Sequence, residues 1–548
     1  MKKYLLTLII LLSAVLRLWN LSNVPPHLTP DEASLGYNAY SILKTGKDEY
    51  GEVLPIVFKS FGDYKPGFYV YLTVPFVALF GLNESSVRLP SALAGIFSVY
   101  LIYLISSHFF GKKLGLYSSL VAAVTPWLIY FSRGAWEANV SLTLALSGIY
   151  FFLKSLKENK YLILSILSFS LTLITYQGAK LSSGIIILIL FAFYWKDIFK
   201  IGKKYLLVSI VLGILISLPI VFSLFNGKAG RLEIFSVFSY PRPMEYTQAM
   251  LDEGGEKIGD YNYLLFHSET YNYIRGIFGR WFNHFSGSFL FFEGDTANPR
   301  HSAPYQGMML ISDVILIAFG LYALFKEKLT KERILILVWL ILSPLPAVLS
   351  RDQVHAVRSL NMAIPLVLIC AFGINEVLAV ISKNRYRLIS YLVGGGIYLV
   401  GLLYFIDAYF IHVSAHDSKL WEYGYKQIVE AVTPIQINYK TIKIQQSFAQ
   451  PYIYFLFYQK YDPAKYQKES KFTESEFKGD VGYVTKLDNI EFTAIDWSVN
   501  RGDHGSLIIG DSIRIPVQDS TSEKEFRLVK EIKYLNNRDI AFRIIEVK

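Results

Sequence analysis

The stretch Gly67-Phe-Tyr-Val-Tyr-Leu-Thr-Val-Pro75-Phe-Val-Ala-Leu-Phe-Gly81 decides how the chain is threaded. It is apolar, interrupted by a proline, and shorter than the ~20 residues that cross a bilayer. Eleven other apolar runs surround it, at roughly 4–19, 88–110, 114–132, 139–153, 161–176, 180–195, 205–225, 306–325, 334–350, 357–380 and 388–408. Short basic loops separate many of them, carrying Lys112/Lys113, Lys154/Lys157/Lys160, Lys196/Lys200/Lys203/Lys204, Lys326/Lys328/Lys331/Arg333 and Lys383/Arg385/Arg387. If 67–81 lies in the interface and the N-terminus is cytoplasmic, all five loops fall inside with Lys2 and Lys3. If it spans, every basic loop after it faces outward. The positive-inside rule selects the first arrangement: a polytopic α-helical membrane protein of about eleven spans, an interfacial 67–81, and an extracytoplasmic C-terminal region. The first run has no small-residue cleavage site before Arg17 and Trp19, so it reads as a retained helix.

Composition agrees. Of 548 residues, 53% are hydrophobic and 18% charged, against about 25% charged in soluble proteins. A string of soluble domains is excluded. The net charge of +10 resembles a nucleic-acid signal until it is located. Residues 409–548 hold 19 Lys/Arg and 19 Asp/Glu, which cancel. The excess therefore sits in the loops between apolar runs and reports membrane orientation; no nucleic-acid partner is expected. A single cysteine, Cys370, excludes an intramolecular disulfide framework.

Three outer segments, 20–87, 226–305 and 409–548, are too long to be plain connections. The division is a transmembrane domain over 1–408, with outer loops 20–87 and 226–305, and a soluble α/β domain over 409–548. In the latter a helix is predicted over 417–433. β-prone runs follow at 439–445, 481–486, 505–515 and 526–547, the last split by a turn at Asn536-Asn537.

The first outer segment contains His27-Leu-Thr-Pro-Asp31-Glu32. Thr29 as N-cap, Pro30 at N1 and Glu32 at N3 spell a capping box, which accounts for Glu32. Asp31 is less well explained by capping. It is an acid held by a capped helix on the outer face, where a membrane-borne substrate would meet it. Lys65, in Asp63-Tyr-Lys-Pro-Gly67, is either an interface lysine or a cation for a lipid phosphate. Arg133 and Glu137 have i,i+4 spacing and read as an exposed pair. Arg300-His301 and Ser350-Arg351-Asp-Gln-Val-His355-Ala-Val-Arg358 bring further cations to the outer side. His355 and Arg358 share a helical face, and either anchor the interface or bind an anion. Asp313, inside the eighth run, is a lone intramembrane acid. There is no P-loop, HExxH or paired CxxC, and the histidines define no metal spacing.

Asp31-Glu32, Lys65-Pro66, Arg88-Leu-Pro-Ser-Ala-Leu-Ala-Gly95, and Ser132-Arg133 with Glu137 resemble the GT-C membrane glycosyltransferases. They are most similar to the branch of protein O-mannosyltransferases and lipid A aminoarabinose transferases. The 298–301 and 351–358 segments resemble those of bacterial members with unassigned acceptors. The resemblance covers roughly residues 1–410. It implies sugar transfer from a polyprenyl-phosphate donor to a protein, lipid or glycan acceptor at the outer face of the plasma membrane. Asp31 would be the catalytic base, and Lys65 would contact donor phosphate. Glu32, Arg133, Glu137, Arg300, His301, His355 and Arg358 are the remaining candidates for substrate contact. Relatives often carry Asp where this chain has Glu137, and a second proline where it has Gly67. No cofactor is required by this reading, and a divalent cation stays open. One base suffices for direct, inverting displacement. The competing readings are a carrier of lipid-linked sugars, or a non-catalytic envelope assembly protein.

Overall fold

The computed structural model describes residues 2–225, 236–446, 450–469, 471–475, 481–516 and 524–548. The beginning of the expected outer segment 226–305 lies outside these residues.

Helix α1 (Lys2–Leu18) leads into α2 (Pro30–Thr45), the hairpin β1 (Val57–Ser60) and β2 (Asp63–Pro66), and α3 (Phe68–Phe80). The run that decides the threading is thus a 13-residue helix. At 1.5 Å per residue it is about 20 Å long, short of a ~30 Å hydrocarbon core. Tyr69, Val70, Thr73 and Val77 are buried, whereas Leu79 and Phe80 are exposed at its far end. After it come α4 (Glu84–Phe110), α5 (Lys112–Val124), α6 (Pro126–Arg133), α7 (Glu137–Ser155), α8 (Tyr161–Leu173), α9 (Ala179–Ile198) and α10 (Lys203–Phe225).

Among the described residues, five helices are long and apolar enough to cross a membrane. The pair α5–α6, bent by 55° at Thr125-Pro126, makes six if it is one broken span. Pro126 starts the new helix at N1, where its missing N–H costs nothing. Helices 2–18, 161–173, 313–326 and 331–342 are shorter than a full span, so length alone does not yield the eleven spans of the sequence reading. Outward faces are apolar: Leu207, Leu215 and Phe222 on α10, and Leu392 and Val400 near the end of the bundle, are all well exposed. Such a surface suits lipid and not water.

Beyond the helix Arg387–Asp407, the chain builds a second layer. The expected helix over 417–433 is only partly formed, spanning Tyr425–Val432. Glu422 (φ 55°) and Gly424 (φ 121°) turn the backbone left-handed and break the run before it. The strands are β3 (Ile442–Gln445), a small β4 (Phe472–Thr473) and β5 (Tyr483–Val484) pair, β6 (Lys486–Leu487), β7 (Ile490–Thr493), β8 (Leu507–Gly510), β9 (Phe526–Lys533) and β10 (Ile540–Val547). Six of them form one sheet in the order β6-β7-β3-β8-β10-β9. β3 runs parallel to both neighbours, with Ile442 opposite Ile490 and Leu507. Helix Pro451–Tyr458 is buried on nearly every residue. It packs between this sheet and α2, so that α2, α3 and the sheet's Ile442, Ile444 and Ile509 share one apolar core.

Candidate active site

Helix α2 carries the capping box read from the sequence. Thr29 Oγ1 accepts from Glu32 N at 3.2 Å, and Thr29 N donates to Glu32 Oε2 at 3.0 Å. Glu32 does more than cap. Its Oε1 accepts from Arg88 Nε at 3.1 Å and from Ala135 N at 2.9 Å. Arg88 is wholly buried and donates to Leu21 O, Pro25 O and His27 O at 2.8–3.0 Å. Glu32, expected at the substrate, lines the smaller of the two cavities described below, and both its oxygens are engaged in a frame that locks α2 to α4 and to the α6–α7 turn. A helix turns 100° per residue, so Asp31 faces elsewhere. Its side chain is 64% exposed and pairs with Lys65 Nζ.

Lys65 is aimed by the hairpin, where it stands opposite Phe58. The glycine after Pro66 has a structural reason. Gly67 N donates to Ile56 O at 2.9 Å, a bond a second proline could not make. A Cβ there would also lie 2.2 Å from the Phe58 ring. Burial would lower the Lys65 pKa, but the Asp31, Glu137 and Asp63 carboxylates outweigh it and raise it. Lys65 is therefore a permanent cation.

Two adjoining cavities meet at this pair. An inner one of about 190 Å³ is lined by Asn38, Ser60, Trp136, Tyr176, His301 and Trp421, among others. An outer one of about 730 Å³ is lined by Phe61, Gln177, Lys180, Phe238, Arg358 and Glu422, among others. Asp31, Lys65, Glu137 and Arg300 line both. Five expected residues, Asp31, Lys65, Glu137, Arg300 and Arg358, are thus gathered at one place, with His301 on the inner side.

Three are not. Arg133 does not pair with Glu137: it is buried and donates to Leu16 O, Trp19 O and Val24 O at 2.7–2.9 Å. It pins the end of α1, away from both cavities. His355 is buried against His301 and accepts from Arg358 N through Nδ1 at 3.3 Å. It supports Arg358 and does not line either cavity. The lone acid Asp313 is the first residue of the helix Asp313–Lys326, and its Oδ2 accepts from Leu310 N at 3.0 Å.

Among the described residues, Asp295, His301 and His355 are the one trio whose ligand atoms lie within 4.8 Å of one another. Asp295 is already occupied. Oδ1 accepts from Asn298, and Oδ2 accepts from Ala356 N at 2.8 Å and contacts His301 Nδ1 at 3.0 Å. The trio joins the 295–301 and 355–358 segments.

Sequence reading missed Trp136, Tyr176, Gln177, Trp421 and Glu422. Glu422 comes from the break before helix Tyr425–Val432, and its Oε2 accepts from Tyr454 Oη at 2.9 Å. Burial, opposed by Tyr454 and Arg300 and assisted by Asp31, pushes its pKa up to about 7. A carboxyl raised in the folded state contributes fully below its unfolded value and loses stability as pH rises toward 7. Glu422→Gln is therefore expected to gain about 2 kcal/mol over wild type at pH 8 relative to pH 4, allowing for partial exposure. Thermal unfolding of both proteins at the two pH values checks this, and a pH-independent difference would contradict it.

Residues 64–222 match the family described as dolichyl-phosphate-mannose-protein mannosyltransferase. Two Bacillus subtilis (strain 168) proteins whose names carry a provisional mannosyltransferase assignment are similar over part of the chain. YycA is 26% identical over 152 residues, 28% of this chain, and YkcB is 32% identical over 131 residues, 23% of this chain. The matched stretches span only 22% and 17% of those relatives. Across the whole fold the chain is similar to ArnT from Cupriavidus metallidurans. The crystal structure bound to undecaprenyl phosphate aligns with a TM-score of 0.56 at 12% identity, covering 98% of this chain and 97% of that one. The apo structure gives 0.54 with the same coverage. Part of the chain is thus similar to that mannosyltransferase family, and the fold as a whole is similar to that of ArnT.

Proposed function

We propose that the protein transfers a sugar from a polyprenyl-phosphate donor to an acceptor at the outer face of a plasma membrane, with inversion. The observation that carries this reading is the Asp31–Lys65 pair at the junction of two cavities, with Arg300 beside it and Arg358 in the larger one. The ArnT relative in fold was crystallised with undecaprenyl phosphate, which supports a lipid-phosphate donor.

In this reading Asp31 takes the proton from the acceptor hydroxyl or amine as its lone pair attacks the anomeric carbon. The bond from that carbon to the phosphate oxygen breaks, and its electron pair leaves on the phosphate. Lys65, Arg300 and Arg358 meet the developing charge, which preorganised cations stabilise better than water. Lys65 gives up Asp31 as it takes the phosphate, leaving the carboxylate free to accept a proton. One carboxylate base is enough for a single displacement.

Eleven spans, a cytoplasmic N-terminus and the division into 1–408 and 409–548 belong to the same reading. A cysteine at position 113 is expected to resist a membrane-impermeant thiol reagent in intact cells, while one at 465 reacts. The reverse pattern would invert the orientation.

Lys65→Ala and Arg358→Ala are each expected to weaken donor binding about 10- to 150-fold, the loss of one charge-assisted contact of about 1.5–3 kcal/mol. Binding of undecaprenyl phosphate to purified variants is the measurement. Unchanged affinity in both would move the phosphate site elsewhere.

A further inference from the structure

We propose that helix Glu269–Asn283 lies in the membrane–water interface, with Ile274, Phe278 and Phe282 among lipid acyl chains, and that it holds a wall of the outer cavity at the bilayer surface. The partner is the bilayer itself. The inference concerns a segment that the sugar-transfer reading does not use, and it stands whether or not that reading does.

The sequence of this helix is amphipathic in an unusual sense. Ser268 caps it, its Oγ accepting from Tyr271 N at 3.3 Å. Among the described residues, none of its 15 is buried. From Tyr271 onward the exposed ones are Tyr271, Ile274, Arg275, Phe278, Gly279 and Phe282. They recur every three or four positions and so form one face. Apart from Arg275 that face carries no charge, and the stem of an arginine is long enough to bring its charge up to lipid headgroups. The half-buried face carries Asn272, Arg280 and Asn283. A helix bathed in water turns its apolar stripe toward the protein; this one turns it away. Ile274, Phe278 and Phe282 are 48–64% exposed, and Leu264, Leu265 and Phe266, just before the cap, are 54–60% exposed. Six large apolar side chains so close in sequence form a patch, and such patches mark contact with a protein or a membrane.

Two sets of contacts select the membrane. Trp281 Nε1 donates to Ile341 O at 2.8 Å, in the last turn of the apolar helix Lys331–Leu342. Ile341 is itself half exposed. That apolar helix starts from the basic loop Lys326–Arg333, so its last turn is where it leaves the hydrocarbon. An indole bonded to a carbonyl there stands at the level that tryptophan favours in a bilayer. The apolar face of Glu269–Asn283 thereby continues the lipid-facing surface of the bundle. On the other side, Tyr273 Oη donates to Phe238 O at 3.2 Å, and Asn283 Nδ2 donates to Gln353 Oε1 at 3.1 Å. Phe238 lines the outer cavity, and Gln353 belongs to the loop that runs to Arg358, which also lines it. The inward face thus grips two parts of the cavity wall while the outward face meets lipid, the arrangement of an interfacial amphipathic helix.

The test uses the full-length protein in nanodiscs of phosphatidylcholine, some of it carrying a doxyl quencher near the head of its acyl chain. Cys370 is buried, so a thiol-reactive NBD fluorophore reports from an introduced cysteine: Phe278→Cys, Phe282→Cys or, as a reference on the tail, Ile437→Cys, where the native residue is 92% exposed. An apolar face about 5–10 Å into the interface predicts emission at least about twofold lower with the quencher lipid at 278 and 282, and less than about a tenth lower at 437. Quenching at 278 and 282 by aqueous iodide instead would place the face in water and overturn the proposal. Emission reached by neither quencher would mean that protein, such as a second copy of the chain, covers the face, and would overturn it too. Amide hydrogen exchange over 269–283 in the same nanodiscs needs no label. Phe278→Asp together with Phe282→Asp should speed exchange there at least about 10-fold and leave helix Ala363–Ser382 unchanged. Equal exchange in the double variant and wild type would also overturn the proposal; if the double variant does not fold, the quenching result decides.

Discussion

Asp31→Asn is expected to fold, insert and bind donor, yet to transfer sugar at least about 100-fold more slowly than wild type. Asparagine keeps the shape of the side chain and its ability to accept a hydrogen bond from Lys65, but cannot take a proton. The side chain is 64% exposed, so no buried contact is lost with the charge. Lys65 stays cationic in the variant, because Glu137 and Asp63 also favour its charge. Sugar transfer, donor affinity and thermal stability, measured on the same purified protein, separate the outcomes. Near-normal turnover would remove Asp31 from the chemistry and make Glu137 the next base to examine.

The neighbouring acid should fail in the opposite way. Arg88→Leu leaves Glu32 buried without its ion-pair partner, and leaves the Leu21, Pro25 and His27 carbonyls short of a donor. Removing one member of a buried pair typically costs about 3–5 kcal/mol, against a whole stability of about 5–15 kcal/mol. The variant is expected to accumulate poorly and to unfold at a much lower temperature, with no change in mechanism in whatever folds. Glu32→Gln should be milder, since glutamine still closes the capping box and still accepts from Ala135 N. An Arg88→Leu protein as stable as wild type would show that the frame around α2 is held by something else. With both expected results, two adjacent carboxylates differ: losing Asp31 costs chemistry, and losing the partner of Glu32 costs folding.

Local signals were legible in the chain, and distant ones were not. The capping box at 29–32, the helix at 68–80 and the strand-rich tail follow from caps, apolar length and β-branched runs. The cations at 300 and 358 were also legible as candidates, because each stands at or just before the start of an apolar run. The partners of Arg88 and Arg133 were invisible, since carbonyls carry no sequence signature. The i,i+4 spacing of Arg133 and Glu137 was misleading: α6 ends at Arg133 and a new helix starts at Glu137, so the two never share a helical face. Trp421 and Glu422 reach the cavities from almost four hundred residues beyond Asp31, and no periodicity reports such a contact. The predicted helix 417–433 hid them further, because a continuous helix would not have made the left-handed turn at Glu422.

The core shared by α2 and the last part of the chain has a consequence for biogenesis. Tyr454 Oη contacts Leu28 O at 3.0 Å, Lys426 N donates to His27 Nε2 at 3.2 Å, and Tyr37 Oη donates to Tyr461 O at 3.1 Å. The start of α2 cannot complete its packing until residues some four hundred positions later have been synthesised and brought to the same side of the membrane. At about 5–20 residues per second, that wait is roughly 20–85 s. Throughout it, the membrane helices can already be in place while the helix bearing Asp31 is still unsupported. A nascent or prematurely terminated chain would therefore carry Asp31 on a helix that nothing yet holds in place.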